Sequence, residues 1–128
     1  MDHNSGRQPL WPGEVHTLIN ACETSREKLV ILALLETGIT ADELTRLTAR
    51  SIDWREGTLR GSLKRDPASL SVELLSLLKE HFQAATRLGI GNRQLQRIVR
   101  AVGRRAGLKT TVTPDILRRT CLWNPLRS

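Results

Sequence analysis

Arginine is concentrated in the last third of the sequence, and its chemistry there is the clearest functional signal. Residues 93–128 contain nine Lys or Arg and one acidic residue, Asp115, whereas residues 1–92 contain 11 basic and 12 acidic residues. Eight of those nine are arginines, whose planar guanidinium groups form paired hydrogen bonds with phosphate oxygens. This pattern favours a polyanionic partner, bound through salt-dependent phosphate contacts. The alternative is a solvated basic face that only keeps the protein in solution.

Four of these arginines recur every three or four residues, which places them on one side of a helix. An apolar stripe that includes Leu95, Val99 and Val102 lies beside them, so the helix can pack inward and present guanidinium groups outward. We predict that this stripe, the neighbouring arginines and a hairpin lysine contact nucleic acid. The candidate binding residues are Arg93, Arg97, Arg100, Arg104, Arg105, Arg118, Arg119 and Lys64.

Few residues in the sequence have the chemistry and the neighbours that catalysis requires. The sequence contains no tyrosine, so no tyrosine nucleophile is available to these residues acting alone. Cys121 has no neighbouring general base, and a buried thiol is the simpler interpretation. His16 and His81 stand apart from other potential ligands, so we expect neither a metal site nor a cofactor.

Apolar residues recur at helical spacing over most of the chain, which predicts a mainly α (α+β) domain. We predict six helices: one from Pro12, one over about Arg26–Glu36, one after Thr40, one over about Val72–Gln83, one from Asn92 to just before Gly107, and one over Asp115–Thr120. The second helix is apolar around most of its circumference, so it is expected to be the central buried helix.

Local signals refine this outline. Thr40 and Glu43 have the spacing of a capping box, and Ser25, Ser71 and Asn92 are expected to be N-caps. Polar and apolar residues alternate over about residues 52–63, which predicts a small hairpin sheet of two strands, with a third strand near residues 68–70. The aromatic residues Trp11 and Trp54 are expected to pack against the core.

The length of 128 residues favours one domain. We expect a tail at residues 1–10, a folded domain at residues 11–120 and an apolar C-terminal tail at residues 121–128, which folds back or docks on a partner. The apolar runs are far shorter than the ~20 residues that cross a bilayer, so no membrane association is expected. Two cysteines cannot build a disulfide framework, which favours the cytoplasm, with nucleoid association in a prokaryote.

Four strings in this order resemble the catalytic domain of the tyrosine recombinases, the phage integrase family. They are Glu36–Leu44, Ser51–Leu59, Leu70–Leu75 and Arg104–Thr120. The resemblance covers most of the chain, from about Trp11 to Thr120, and it implies a helical domain with a small hairpin sheet. It also implies duplex DNA as the partner and a role related to DNA integration or recombination.

The same resemblance implies that catalysis is lost. Members of the family hold the scissile phosphate with two arginines, a hairpin lysine and a histidine, and attack it with a tyrosine. Position by position, the first arginine falls on Thr40, the histidine on Asp115, the second arginine on Arg118 and the lysine on Lys64. Two of these positions carry other residues, and the sequence contains no tyrosine. The chain therefore resembles a truncated, degenerate relative, and cleavage by the family mechanism is not expected.

Three functions remain open at this point. The first is a non-catalytic DNA-binding domain. The second is a protein that modulates an intact recombinase, or associates with itself, through the C-terminal tail. The third is residual activity with a tyrosine supplied by another subunit, although Thr40 and Asp115 would remain defective.

Overall fold

The computed structural model describes residues 9–60 and 67–123, without the side chain of Trp123. Its helices are α1 (Pro12–Asn20), α2 (Ser25–Thr37), α3 (Ala41–Thr45), α4 (Val72–Ala84), α5 (Asn92–Arg105) and α6 (Pro114–Trp123). The strands are β1 (Ile52–Asp53), β2 (Thr58–Leu59) and β3 (Ala68–Ser69), and a 3-10 turn spans Ala49–Ser51. The mainly helical α+β architecture predicted from the sequence is confirmed.

Helix α2 forms the centre of the domain. Six consecutive side chains, from Leu29 to Leu34, are buried, and α1, α3, α4, α5, α6 and β3 all contact this helix. The predicted central helix is therefore confirmed. In the described part of the chain, no helix is long and apolar enough to cross a membrane.

Side-chain caps fix the helix starts on either side of the sheet. The Thr40 hydroxyl accepts the Glu43 N–H at 3.1 Å, and the Glu43 carboxylate accepts the Thr40 N–H at 2.8 Å. The Ser71 hydroxyl accepts the N–H of Leu74 at 3.1 Å at the start of α4. Both predicted caps are confirmed, and each satisfies an amide that has no partner within its helix.

Two other predicted caps are wrong by one residue. Thr24 caps α2, because its hydroxyl accepts the N–H of Glu27 at 3.0 Å, and Ser25 is already helical. Gly91 precedes α5 in extended conformation, and Asn92 is its first helical residue. Both errors arise where two adjacent residues suit the cap, since composition does not determine which one leaves the extended conformation.

The small sheet is antiparallel with the order β1-β2-β3. Ile52 pairs with Leu59, and Thr58 pairs with Ser69, which confirms the hairpin and its third strand. The β1–β2 turn places Gly57 at φ +68°, a left-handed conformation that glycine adopts without steric cost. Residues 61–66 of the β2–β3 connection, and with them Lys64, lie outside the described residues.

The predicted ends of the domain need correction. Helix α6 continues past Thr120 to Trp123, because Cys121 extends its apolar face and is buried. At the other end Leu10 is buried rather than part of a tail, and its N–H donates to the Thr120 hydroxyl at 2.9 Å. Residues 124–128 lie outside the described residues.

The two tryptophans expected to pack against the core differ in their surroundings. Trp11 is 65% exposed at the start of α1, so the prediction is wrong for this residue. Trp54 is 38% exposed and touches Phe82 of α4 edge-on, with 6.4 Å between the ring centroids. Both residues lie at an element boundary, where helical or strand periodicity no longer determines which way a side chain points.

The loop after α5 packs closely against that helix at Gly103. A Cβ atom added at Gly103 would lie 2.7 Å and 2.9 Å from the side-chain atoms Cγ2 and Cβ of Val112. Val112 is itself buried, so it cannot move aside without opening the core. Glycine at position 103 therefore permits the loop to approach α5.

We expect Gly103→Ala to lower the free energy of unfolding by roughly 1–3 kcal/mol, because overpacking exceeds the ~1 kcal/mol that alanine gains in a helix. Gly13→Ala in α1 is the matched control, since its added Cβ meets nothing within 4 Å. Urea unfolding measures both variants. A Gly103→Ala protein as stable as the wild type would show that this contact does not constrain the loop.

Candidate nucleic-acid interface

Helix α5 places the arginine stripe in solvent by burying the opposite face. Leu95, Val99 and Val102 are completely buried, and the helix packs against α2, α3 and α6. The four arginines of the stripe, Arg93, Arg97, Arg100 and Arg104, are all exposed. The two-sided helix predicted from the sequence is therefore present.

A groove runs along the exposed face of α5. Its larger part has a volume of about 620 Å³ and is lined by Arg93, Arg97 and Arg100, by residues 111–115 and by Ala41 of α3. A smaller part of about 90 Å³ shares Arg100 with the first and adds Arg104 and Lys109. We call the two parts together the α5 groove, and five cationic side chains line it.

The described part of the chain does not neutralise the stripe arginines. In the described residues, none of the four forms an ion pair with a carboxylate. Asp115 is the only acid among the described residues that line the α5 groove. Its Oδ2 lies 2.9 Å from Nε of Arg119 on the next turn of α6. Arg119 is thus committed to Asp115, while the stripe remains available to an external anion.

Arg118 is half-buried and held in a fixed orientation. Its Nε–H donates to the carbonyl oxygen of Gly38 at 3.1 Å, where α2 ends. The C-terminal carbonyls of a helix carry partial negative charge, so this contact is favourable. It brings Arg118 to the segment that leads into Thr40. The family positions Thr40, Asp115 and Arg118 are therefore assembled in one region, whereas Lys64 lies outside the described residues.

Arg105 does not belong to the stripe. Its Nη1 donates to the Glu27 carboxylate at 2.8 Å and to the carbonyl oxygen of Ala21 at 2.9 Å, and its Nε lies 3.4 Å from Glu23. These contacts tie the end of α5 to the α1–α2 connection. Because successive residues of a helix point about 100° apart, Arg105 points in a different direction from Arg104, and a nucleic-acid contact by Arg105 stays a prediction from the sequence.

Two ionisable groups near Arg105 have shifted pKa values. A hydrogen bond from Arg105 lowers the pKa of the Glu27 carboxyl, which favours its charged form. Burial, followed by the nearby Glu27 charge, raises the pKa of the Cys22 thiol to about 11. Cys22 is therefore protonated at neutral pH and is a poor nucleophile.

Neither His16 nor His81 belongs to a group of potential metal ligands among the described residues. His16 is exposed on α1, and Nε2 of His81 lies at hydrogen-bonding distance, 2.8 Å, from the carbonyl oxygen of Arg87. In residues 9–60 and 67–123, no three His, Cys, Asp or Glu side chains form a group that could hold a metal ion.

The fold is similar to that of solved recombinases and integrases. The XerA recombinase has a TM-score of 0.75 and 24% identity over 89% of this chain and 48% of its own. The integrase from mycobacterium phage Brujita has a TM-score of 0.75 and 16% identity over 89% of this chain and 42% of its own. The XerH site-specific recombinase, bound to its difH substrate, has a TM-score of 0.69 and 18% identity over 89% of this chain and 41% of its own.

A transposon protein shares the fold as well. The Tn1549 transposon integrase, in complex with transposon right end DNA, has a TM-score of 0.65 and 15% identity over 88% of this chain and 51% of its own. No protein-family model and no curated protein sequence matches the chain. The predicted tyrosine-recombinase-type fold is confirmed, and the chain spans about half the length, or less, of these proteins.

The Arg105–Glu27 pair predicts a pH-dependent stability difference. Because the pKa of Glu27 is lowered in the folded protein, the pair stabilises the fold above the ordinary glutamate pKa of about 4.3. That stability is lost as the pH falls through the lowered value. We expect Arg105→Ala to be less stable than the wild type at pH 7, with the difference shrinking toward pH 3.

Arg104→Ala is the adjacent control, since Arg104 forms no ion pair in the described residues. Urea unfolding at both pH values measures the three proteins. Equal stability of Arg105→Ala and Arg104→Ala at pH 7 would contradict a stabilising role for the pair.

Proposed function

We propose that this chain is a duplex-DNA-binding domain of tyrosine-recombinase type that does not cleave DNA by the mechanism of that family. In this proposal the α5 groove receives the phosphate backbone. The observation that carries the proposal is the row of four exposed arginines on α5, none of which is paired with a carboxylate in the described residues.

The dimensions of the row suit a nucleic-acid strand. With a rise of about 1.5 Å per residue, the stretch from Arg93 to Arg104 extends roughly 16 Å along the helix axis. The phosphates of one DNA strand advance by about 3.4 Å per nucleotide along the duplex axis, so a row parallel to that axis corresponds to roughly five phosphates. Lys109 extends the same cationic surface beyond Arg104.

The similar structures favour DNA over other polyanions. XerH is bound to its difH substrate, and the Tn1549 integrase is in complex with transposon right end DNA. We propose that this chain shares DNA as its partner. Arg118 is proposed to contribute a further phosphate contact through the guanidinium nitrogens that do not bond to Gly38, and Lys64 stays a candidate from the sequence alone.

The residues at the family's catalytic positions argue against cleavage. Thr40 is neutral, and its hydroxyl and N–H both serve the capping box of α3. Asp115 places a negative charge on the groove where the family has a histidine. Removing one charge-stabilising donor from an active site costs about 10²–10³ in rate. These two substitutions weaken cleavage whichever subunit supplies a tyrosine.

The alternative of an interaction through residues 121–128 stays a prediction. Cys121 is buried in α6, whereas Leu122 is 58% exposed on the same helix. Residues 124–128 lie outside the described part of the chain. Docking on an intact recombinase, or self-association, would therefore depend mainly on Leu122 and the residues that follow it.

Duplex binding is tested with a fluorescein-labelled random-sequence duplex by anisotropy, starting in about 50 mM salt. We expect Arg97→Ala/Arg100→Ala to weaken binding about 10- to 100-fold. The slope of log affinity against log salt should flatten by about 1.8, since each lost phosphate contact removes about 0.9.

Arg26→Ala/Arg87→Ala is the control, because it removes the same charge from exposed positions outside the α5 groove. It should weaken binding no more than about threefold through the change in net charge. An equal loss in both double variants, or no duplex binding by the wild type, would refute the proposal.

Absence of cleavage is tested with nicked suicide duplexes, from which a covalent protein–DNA adduct cannot religate. We expect no adduct that survives denaturing electrophoresis, because no tyrosine is present in the sequence and two catalytic positions have changed. The XerA recombinase with its own target provides the positive control. An adduct formed by this chain and lost in Arg118→Ala would contradict the non-catalytic assignment.

A further inference from the structure

A second cationic depression lies beside the small sheet. It has a volume of about 490 Å³, within the roughly 300–1,000 Å³ of typical small-ligand sites. None of its described lining residues lines the α5 groove. We call it the sheet groove, and it is lined by Arg50, Ser51, Ile52, Asp53, Trp54, Thr58, Arg60 and Pro67.

Two arginines flank the sheet groove at positions that the backbone fixes. The N–H of Arg60 donates to the carbonyl oxygen of Ser51 at 3.2 Å, which joins the end of β2 to the residue after Arg50. Both arginines are exposed, and neither forms an ion pair in the part of the chain that the structure describes. Both arginines therefore line the same groove, and neither is paired with a carboxylate of the described residues.

Asp53 is the one acidic residue among the described residues that line the sheet groove. Its Oδ1 accepts the backbone N–H groups of Arg55 and Glu56 at 3.1 Å and 3.0 Å. The carboxylate is thus engaged by the β1–β2 turn, and these hydrogen bonds offset part of its repulsion of an anion. Among the described residues that line the groove, two cations accompany this one engaged carboxylate, and this balance favours a phosphate.

An aromatic surface completes the site. The edge-on contact with Phe82 holds the indole of Trp54 against α4, yet 38% of the residue remains exposed where it lines the groove. Trp11 is more exposed but lines neither this groove nor the α5 groove. Trp54 is therefore held in place by Phe82, remains partly exposed, and lines the same groove as two arginines.

We propose that the sheet groove binds an unpaired nucleotide of single-stranded DNA, with the base stacked on Trp54 and a phosphate held by Arg50 and Arg60. Aromatic stacking beside a cationic track is how proteins bind single strands without strong sequence preference. A duplex offers no free base face, because its bases stack on one another, so Trp54 contributes to single-strand binding only. This activity is separate from the duplex contact at the α5 groove and does not depend on it.

The test measures anisotropy of a fluorescein-labelled dT15 strand with the full chain in about 50 mM salt. Trp54→Leu should weaken binding about 10-fold, because stacking contributes about 1–3 kcal/mol per base, whereas Trp54→Phe should retain most of the affinity. Trp11→Leu is the matched control and should leave binding unchanged. Random-sequence duplex affinity should stay within about twofold in all three variants.

The charges are tested in the same assay. We expect Arg50→Ala/Arg60→Ala to weaken dT15 binding about 10-fold, whereas Arg26→Ala/Arg87→Ala, which removes the same charge elsewhere, should weaken it no more than about threefold. Equal losses in the two double variants would overturn the assignment of the phosphate to this groove.

Two measurements on the wild type need no folded variant. An abasic strand of the same length should bind about 10-fold more weakly than dT15, because it has phosphates but no bases to stack. Equal affinity for both strands would overturn the proposal. Free thymidine monophosphate should not displace dT15 at micromolar concentration, and displacement there would instead identify a site for free nucleotides.

Discussion

Helix α2 is enclosed by the other five helices and by β3, and burial of its apolar circumference is the interaction on which the remaining structure depends. Because burial of apolar surface is the main stabilising contribution to folding, the surrounding helices turn their apolar faces inward. For α5 this packing leaves the arginine stripe on the outside. The packing that builds the core therefore also creates a row of positive charge that no carboxylate of residues 9–60 and 67–123 neutralises.

A row of arginines becomes a groove only when a second wall faces it. Gly103 permits Val112 to approach α5, and residues 111–115 then lie across from the stripe. Carboxylates pair with two other arginines of this region, since Glu27 binds Arg105 and Asp115 binds Arg119. The extent of the cationic surface therefore depends on which arginines are paired with carboxylates and which are not.

Sequence periodicity predicts the parts of this structure that depend on local chemistry. The burial of α2, the two faces of α5 and the Thr40 capping box follow from spacing and side-chain type alone. The partner of Arg105 does not, because Glu27 lies 78 positions away in the sequence. The sheet groove does not follow from spacing either, since it requires the pairing of Ser51 with Arg60 and the position of Trp54 against Phe82.

The most direct test of the central proposal is the location of the duplex on the protein. Amide chemical shifts of ¹⁵N-labelled protein, followed as a short duplex is added in about 50 mM salt, map the contact residue by residue. The account predicts changes concentrated on the exposed face of α5 and on residues 109–115, which disappear as added salt weakens the phosphate contacts. Changes centred on the exposed side of α4, or shifts that persist unchanged at high salt, would contradict it.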